Sequence, residues 1–265
     1  MGKSGVAIIG FGWVGKSMKQ LFPDALVYDP NLPDSVTKKE VNRVGIAFVC
    51  VPTLVIKERK LDISIVEESV KWCKCPLLVI RSTVNPGTCD YLIKKYKKRI
   101  VFQPEYLGES PAHPMLDQSS RQFMIVGGKS RDRHELLELY FRNVYNANVS
   151  VRQVTNLEAE IIKLSENRAI AWKIAQIQEL IDTCKKASID YYNIRDAVYG
   201  DDFRFNLWWT ADHGDKKGFN SKCLPKDVYA WCAWAESVGY NPVITRAILK
   251  KNKDWINKNP QDKGK

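Results

Sequence analysis

The sequence predicts an α/β protein: a doubly wound parallel sheet, then an all-helical domain with one long helix. Over residues 1–150, short β-branched runs alternate with helical stretches, the rhythm of parallel strands joined by crossover helices. From Thr155 to about Ala187 there is neither Gly nor Pro, and Leu157, Ile161, Leu164, Ile170, Ile174, Ile177 and Ile181 recur at helical spacing. A glycine-rich turn stands between the first strand and the first helical stretch, where an α/β sheet binds its ligand.

The strands are expected at Val6–Ile9, Ala25–Tyr28, Val44–Val51, Leu77–Ile80, Ile100–Phe102 and Phe123–Val126, each bounded by Gly, Pro or Asn. Near residues 148–155 the texture changes, which places an expected boundary between domains 1–152 and 153–265. After the long helix come a loop-rich stretch, Tyr199–Pro225, and helical patterns over Asp227–Val238 and Pro242–Asn257. There is no internal repeat and no low-complexity segment.

Composition sets outer bounds. Hydrophobic residues make up 45% and charged residues 27% of 265, so the chain is neither disordered nor fibrous. No apolar run approaches the ~20 residues that span a bilayer, and the opening reads as a strand rather than a signal peptide. Seven cysteines without paired spacing point to reduced thiols in a cytoplasm-like compartment. The net charge of +11 sits largely in Lys94–Arg99 and in a tail where Arg246, Lys250, Lys251, Lys253, Lys258, Lys263 and Lys265 face only Asp254 and Asp262. Such runs fit solvated helix faces. No nucleic-acid signature accompanies them, and nucleic acid is not expected as a partner.

Gly10-Phe11-Gly12-Trp13-Val14-Gly15 follows a strand and opens a helix, and Asp29 ends the second strand 19 residues after Gly10. This is the context of a Rossmann-like dinucleotide site: glycines for the tight turn, backbone approach and helix packing, and an acid for the adenosine ribose. No Arg follows Asp29 to accept a 2′-phosphate, so the expected cofactor is NAD. No cysteine or histidine spacing suggests a metal; Cys73-x-Cys75 lacks a second pair.

Three polar groups stand out. Lys163 and Asn167 share one face of the long helix; they fit an electrophilic pair for a developing oxyanion, and equally a snorkelling lysine beside a capping amide. Cys223 lies between Lys222 and Lys226, with Asp227 four residues on. Lysine neighbours favour the nucleophilic thiolate, though an inert loop thiol has the same spelling. Gln103-Pro104-Glu105-Tyr106-Leu107-Gly108-Glu109 and Arg81-Ser82-Thr83-Val84-Asn85-Pro86-Gly87-Thr88 follow strands, where open α/β sheets bind ligands; turn chemistry alone would also account for each.

These parts, with Val51-Pro52-Thr53, Ala159-Glu160 and Cys223-Leu224-Pro225-Lys226-Asp227, occur in the order found in the UDP-glucose/GDP-mannose dehydrogenase family, which the chain resembles from Val6 to about Asn252. The resemblance implies a four-electron oxidation of a nucleotide sugar, UDP-glucose first among them, by two NAD molecules. Cys223 would form a thiohemiacetal and then a thioester, Lys163 and Asn167 would stabilise the oxyanion, and Asp227 with Glu105 would handle water and protons. Thr83 would hold that water or the nicotinamide. Gly10, Gly12, Trp13, Val14, Gly15, Asp29, Thr53, Thr83, Glu109 and Lys226 would contact NAD; Glu105, Tyr106, Leu107, Lys163, Asn167, Gly218 and Phe219 would contact the sugar nucleotide. A homodimer through residues 155–187 is also implied.

Two features depart from the family pattern. The sequence ends soon after Pro242–Asn257, where members continue into a third, nucleotide-gripping domain, so a short form is expected. The glycine-rich substrate loop reads Gly218-Phe219-Asn220-Ser221-Lys222, with its later glycines replaced. Leu54 also stands where the family often has Pro. A short form could grip the nucleotide with Lys216, Lys217 and Lys222. Two alternatives stand beside this reading: a two-domain β-hydroxyacid-type dehydrogenase with one hydride transfer and no need of Cys223, and a non-catalytic NAD-binding relic.

Overall fold

The computed structural model describes residues 5–56, 60–107, 122–145, 148–202, 205–206, 208–214 and 216–257. The chain divides into two compact units, Met1–Lys163 and Leu164–Lys265, and the division falls inside the long helix.

In the first unit, β1 (Val6–Ile9), β2 (Leu26–Tyr28), β3 (Ile46–Val49), β4 (Leu77–Ile80) and β5 (Ile100–Phe102) form one parallel sheet in the order β2-β1-β3-β4-β5. Its register runs through Val6↔Ile46 and Ile46↔Leu77. The strands are continuous apolar runs because both faces are covered. Ala7, Ile9, Ala47, Val49, Leu78 and Ile80 pack with Val41, Val66, Val70 and Leu92 from α2 (Lys38–Val41), α3 (Ser64–Trp72) and α4 (Thr88–Tyr96). The alternate residues Ile8, Phe48, Leu77, Val79 and Val101 pack with Met18, Leu136 and Tyr140 from α1 (Trp13–Leu21) and α5 (Ser130–Asn143). The order reverses between β1 and β3, the kind of switch point at which open α/β sheets bind ligands beyond the carboxyl ends of their strands.

All six strands expected from sequence are present, with Ala25–Tyr28 trimmed to Leu26–Tyr28 and Val44–Val51 to Ile46–Val49. The sixth, β6 (Phe123–Gly127), does not extend the large sheet; it pairs in parallel with β7 (Ser150–Val154). Hydrophobic patterning gave no sign of β7, because Ser150, Arg152 and Gln153 are exposed.

The long helix, α6, spans Asn156–Ala187, about 48 Å at 1.5 Å per residue. A capping box opens it: the Thr155 amide donates to Glu158 Oε2 (2.7 Å) and the Glu158 amide to Thr155 Oγ1 (3.2 Å). Asn156 then accepts from the Phe102 amide (2.8 Å) and donates to the Ile100 carbonyl (3.1 Å), fastening the start of α6 to β5.

In the second unit, Ile177, Ile181 and Cys184 of α6 pack with Tyr191 of α7 (Tyr191–Arg195) and Tyr199 of a short π-helix, Asp196–Gly200. Then follow α8 (Leu224–Ser237) and α9 (Val243–Asn257). The helix expected from Asp227 therefore starts three residues earlier. Pro225 does not delay it, since the first turn needs no amide donor there. Cys223 is the N-cap, and Lys226 and Asp227 lie on the helix, not in a preceding loop.

Candidate active site

The first unit builds a glycine turn at the switch point. Gly10 takes φ +92°, and a Cβ there would lie 2.7 Å from the Cys50 carbonyl oxygen. A Cβ on Gly15 would lie 2.1 Å from the Gly10 carbonyl oxygen, so α1 closes on the turn only without a side chain. Gly12 is different: nothing lies within 4 Å of its missing Cβ, and its φ is −71°. It is the N-cap of α1, with no side-chain cap and no acid in the first turn, so the positive end of the helix opens onto unfilled space. Asp29 accepts from the amides of Phe11 (2.8 Å) and Asn31 (2.9 Å), fixing a carboxylate beside the turn. Trp13 is half exposed at the first position of the helix, and Val14 packs against the sheet core. A cradle that a Cβ would fill, an uncapped helix start and a carboxylate at the end of β2 fit the pyrophosphate and ribose of NAD.

The two glycines should part on substitution. Gly12→Ala is expected to melt like the parent but bind NAD at least tenfold more weakly, about 1.4 kcal/mol. Gly15→Ala is expected to lower the melting temperature. Titration of NAD with thermal melts of both variants checks this.

The loops after β3, β4 and β5 are tied together. Thr53 Oγ1 donates to the Thr83 carbonyl (2.7 Å) and Ser82 Oγ to the Val51 carbonyl (2.7 Å). Thr53 is buried and Thr83 half-buried. Glu105 forms a buried ion pair with Arg81, and its Oε1 accepts from the amides of Tyr106 (2.6 Å) and Leu107 (2.8 Å). Arg81, whose side chain is 0% exposed, carries no local sequence signal as the partner of a residue 24 positions later. Burial beside this pair pushes the Cys50 thiol up to about 12. Lys163, 8% exposed, lies with its ammonium 5.4 Å from the Tyr106 ring centre. Glu109 lies outside the described residues.

Glu160, next to Ala159 near the start of α6, is a clasp. It is buried, and its two oxygens accept from the amides of Gly87 (2.6 Å) and Cys89 (2.8 Å), capping α4 from α6. Burial outweighs those bonds and pushes its pKa from 4.5 up to about 7. The native state thus holds a proton that the unfolded chain releases near pH 4.5. Stability from this group is greatest below pH 4.5, is lost as pH rises to about 7, and levels off above. Urea melts from pH 4.5 to 8 are expected to show that fall, up to about 3 kcal/mol, and Glu160→Gln to lack it.

The second unit holds the other candidates. Cys223, half-buried, sits at the N-terminus of α8, while the other six cysteines are buried. The Asp227 amide donates to the Cys223 carbonyl (2.9 Å), and its fully buried carboxylate accepts from Asn167 Nδ2 through Oδ2. Its Oδ1 faces the Lys226 ammonium at 3.4 Å. The Arg168 guanidinium, beside Asn167 in sequence, is clamped between the Trp172 and Trp231 rings at 4.6 and 3.9 Å. Asp227 and Trp231, four apart, thus fasten one face of α8 to α6. Neither tryptophan was singled out from the sequence, and Trp231 stands 63 positions after Arg168, so no local spacing announces the clamp. Phe219 is buried, and both its backbone polar groups go to Asn252. Lys217 is bound to Asp182 (2.5 Å).

Among the described residues, no group of three His, Cys, Asp or Glu side chains could hold a metal ion, and no helix is long and apolar enough to cross a membrane.

Two family models match the chain: the UDP-glucose/GDP-mannose dehydrogenase family NAD binding domain over residues 24–146, and the central domain of the same family over residues 157–254. A UDP-glucose 6-dehydrogenase of Rickettsia bellii is 25% identical over 247 residues, covering 89% of this chain and 56% of the relative. The UDP-glucose 6-dehydrogenase TuaD of Bacillus subtilis is 26% identical over 254 residues, covering 85% of this chain and 53% of the relative. The chain thus spans about half the length of these curated relatives. A solved UDP-glucose dehydrogenase from Pyrobaculum islandicum superposes with a TM-score of 0.79 at 21% identity, over 95% of this chain and 68% of that one. A GDP-mannose dehydrogenase from Pseudomonas aeruginosa gives a TM-score of 0.64 at 22% identity, covering 95% and 69%. At these identities the two structures speak for the fold.

Proposed function

The chain belongs to the UDP-glucose/GDP-mannose dehydrogenase family, and from that premise we propose that it oxidises the primary alcohol of a nucleotide sugar, UDP-glucose first among them, to the carboxylate. The observation that carries this reading is Cys223 at the start of α8, the one half-buried thiol among six buried ones, with Asp227 one turn on and held by Asn167. A single-hydride hydroxyacid dehydrogenase needs no such thiol.

NAD, when bound, supplies the hydride acceptor for each of the two oxidations. Gly12 and the open start of α1 receive its pyrophosphate and Asp29 its ribose, with Trp13, Val14, Thr53, Thr83, Glu109 and Lys226 as further contacts. Lys163 and Asn167 donate to the sugar oxygen as it gains charge, a preorganised stabilisation that acts most strongly in a water-poor site. The Cys223 sulfur adds to the aldehyde carbon while the thiol proton passes to the carbonyl oxygen, and the resulting thiohemiacetal would become a thioester by giving a hydride to bound NAD and its hydroxyl proton to water. Asp227 takes a proton from the water that cleaves the C–S bond, releasing carboxylate and thiol. Glu105, bound by Arg81 and two amides, orients the Tyr106–Leu107 segment and Thr83 helps to hold the water. Gly218 and Phe219 belong to the loop that meets the sugar nucleotide. A homodimer through α6 completes the proposal and would sediment at twice the mass of one chain.

The test is a panel of UDP-, GDP- and TDP-sugars with NAD, following NADH by absorbance and the product by mass. Turnover of a nucleotide sugar to its uronic acid is expected. Activity confined to small hydroxy acids would replace this reading with the single-hydride one, and NAD binding without turnover would mean that turnover needs the further length of the relatives or that the site is a relic.

A further inference from the structure

The loop that leads into Cys223 is held by one residue of α9. Asn252, 3% exposed, accepts from the Phe219 amide through Oδ1 (2.8 Å) and donates from Nδ2 to the Phe219 carbonyl (2.9 Å). The preceding Gly218 takes φ +73°, and a Cβ there would lie 2.3 Å from Asn252 Oδ1. Glycine and asparagine therefore require each other: the amide reaches the loop because residue 218 has no side chain. One turn along α9, Trp255 donates from Nε1 to Asp182 Oδ2 (3.0 Å), and Asp182 Oδ1 receives the Lys217 ammonium (2.5 Å). Loop residues 217–219 are thus pinned on both sides, to α9 directly and to α6 through Asp182. Two residues beyond Phe219, Ser221 Oγ accepts from the Leu224 amide (3.1 Å), carrying the restraint into the first turn of α8, where Cys223 is the N-cap.

Resting on the assignment of Cys223 as nucleophile, we propose that Asn252 is a positioning residue for it, setting the loop conformation that presents the thiol. The Phe219 amide and carbonyl belong to the two peptide planes that flank its Cα, so one bidentate side chain fixes both planes, which a single contact cannot do. The cost of misplacing a reacting group is steep even for small shifts.

The experiment compares Asn252→Ala and Asn252→Asp with Leu249→Ala, which removes a buried apolar side chain from α9 and no hydrogen bond to the loop. Asn252→Asp keeps the acceptor for the Phe219 amide but loses the donor, so it serves where the alanine variant fails to fold. The readouts are the iodoacetamide alkylation rate at Cys223, mapped by peptide mass, and kcat and KM for UDP-glucose. Because the other cysteines are buried, alkylation reports on the loop and needs no turnover. The expected result is several-fold faster alkylation in both Asn252 variants, with kcat down about tenfold or more. Leu249→Ala should lower the melting temperature and leave Cys223 reactivity at the parent value. Equal alkylation in the parent and both Asn252 variants would overturn the proposal. Altered alkylation in a protein that turns over no sugar would uphold the loop restraint and sink only the dehydrogenase reading.

Discussion

Cys223→Ala is expected to lower carboxylate formation by at least about a thousandfold while NAD binding stays unchanged. Oxidising an alcohol to an acid in one site requires that the aldehyde stay bound and become a hydride donor again. Covalent addition of sulfur does both, dividing a hard reaction into easier steps. Without the thiol, the other groups can assist only the first oxidation, and losses of this order follow removal of a nucleophile that works as part of a unit. Cys223→Ser should remain poor, because a serine hydroxyl is a less polarisable nucleophile and a poorer leaving group than a thiol. Adding Asn167→Ala to Cys223→Ala should cost far less than either loss alone, since the groups act in one step. Steady-state turnover with UDP-glucose and NAD titration of each variant check these points.

The largest loss of stability is expected from Arg81→Leu. The guanidinium lies at the end of β4 with no solvent exposure, against a Glu105 carboxylate that is itself 8% exposed. Removing one partner leaves a buried carboxylate without its counter-ion, and the Tyr106 and Leu107 amides that donate to it do not replace a full positive charge. Such an orphan costs about 3–5 kcal/mol, whereas replacing both partners with apolar groups can come close to neutral. Arg81→Leu should therefore lower the melting temperature by about 10 °C, and Arg81→Leu with Glu105→Leu should recover most of that loss. The double variant should still be inactive, because it no longer fixes the Glu105–Leu107 segment. Thermal melts of the two single variants and the double give the coupling directly.

The sheet was legible because its chemistry is local. Strands covered on both faces must be apolar throughout, so Val6–Ile9, Leu77–Ile80 and Ile100–Phe102 declare themselves in a window of four residues. Likewise, the apolar spacing from Leu157 and the absence of Gly and Pro after Thr155 mark α6, whose capping box at Thr155 and Glu158 went unread until the structure showed it. What stayed hidden depends on partners distant in sequence. Glu105 reads as a free carboxylate until Arg81 is found against it. Gly218 reads as a place for a sugar to approach, yet its positive φ and the Asn252 amide already demand a glycine. Glu160 carries no motif of its own, and only folding brings it to the Gly87 and Cys89 amides, 73 and 71 residues away. Gly12 and Gly15 are the same letter in the fingerprint, but packing forbids a side chain only at Gly15 and leaves Gly12 open for a ligand.

The most direct measurement is the number of NADH formed per nucleotide sugar consumed, with enzyme in trace amount and sugar limiting. Two NADH per sugar, with the uronic acid as product, is the result expected of the thioester route through Cys223. One NADH per sugar, with an aldehyde or ketone as product, would contradict it.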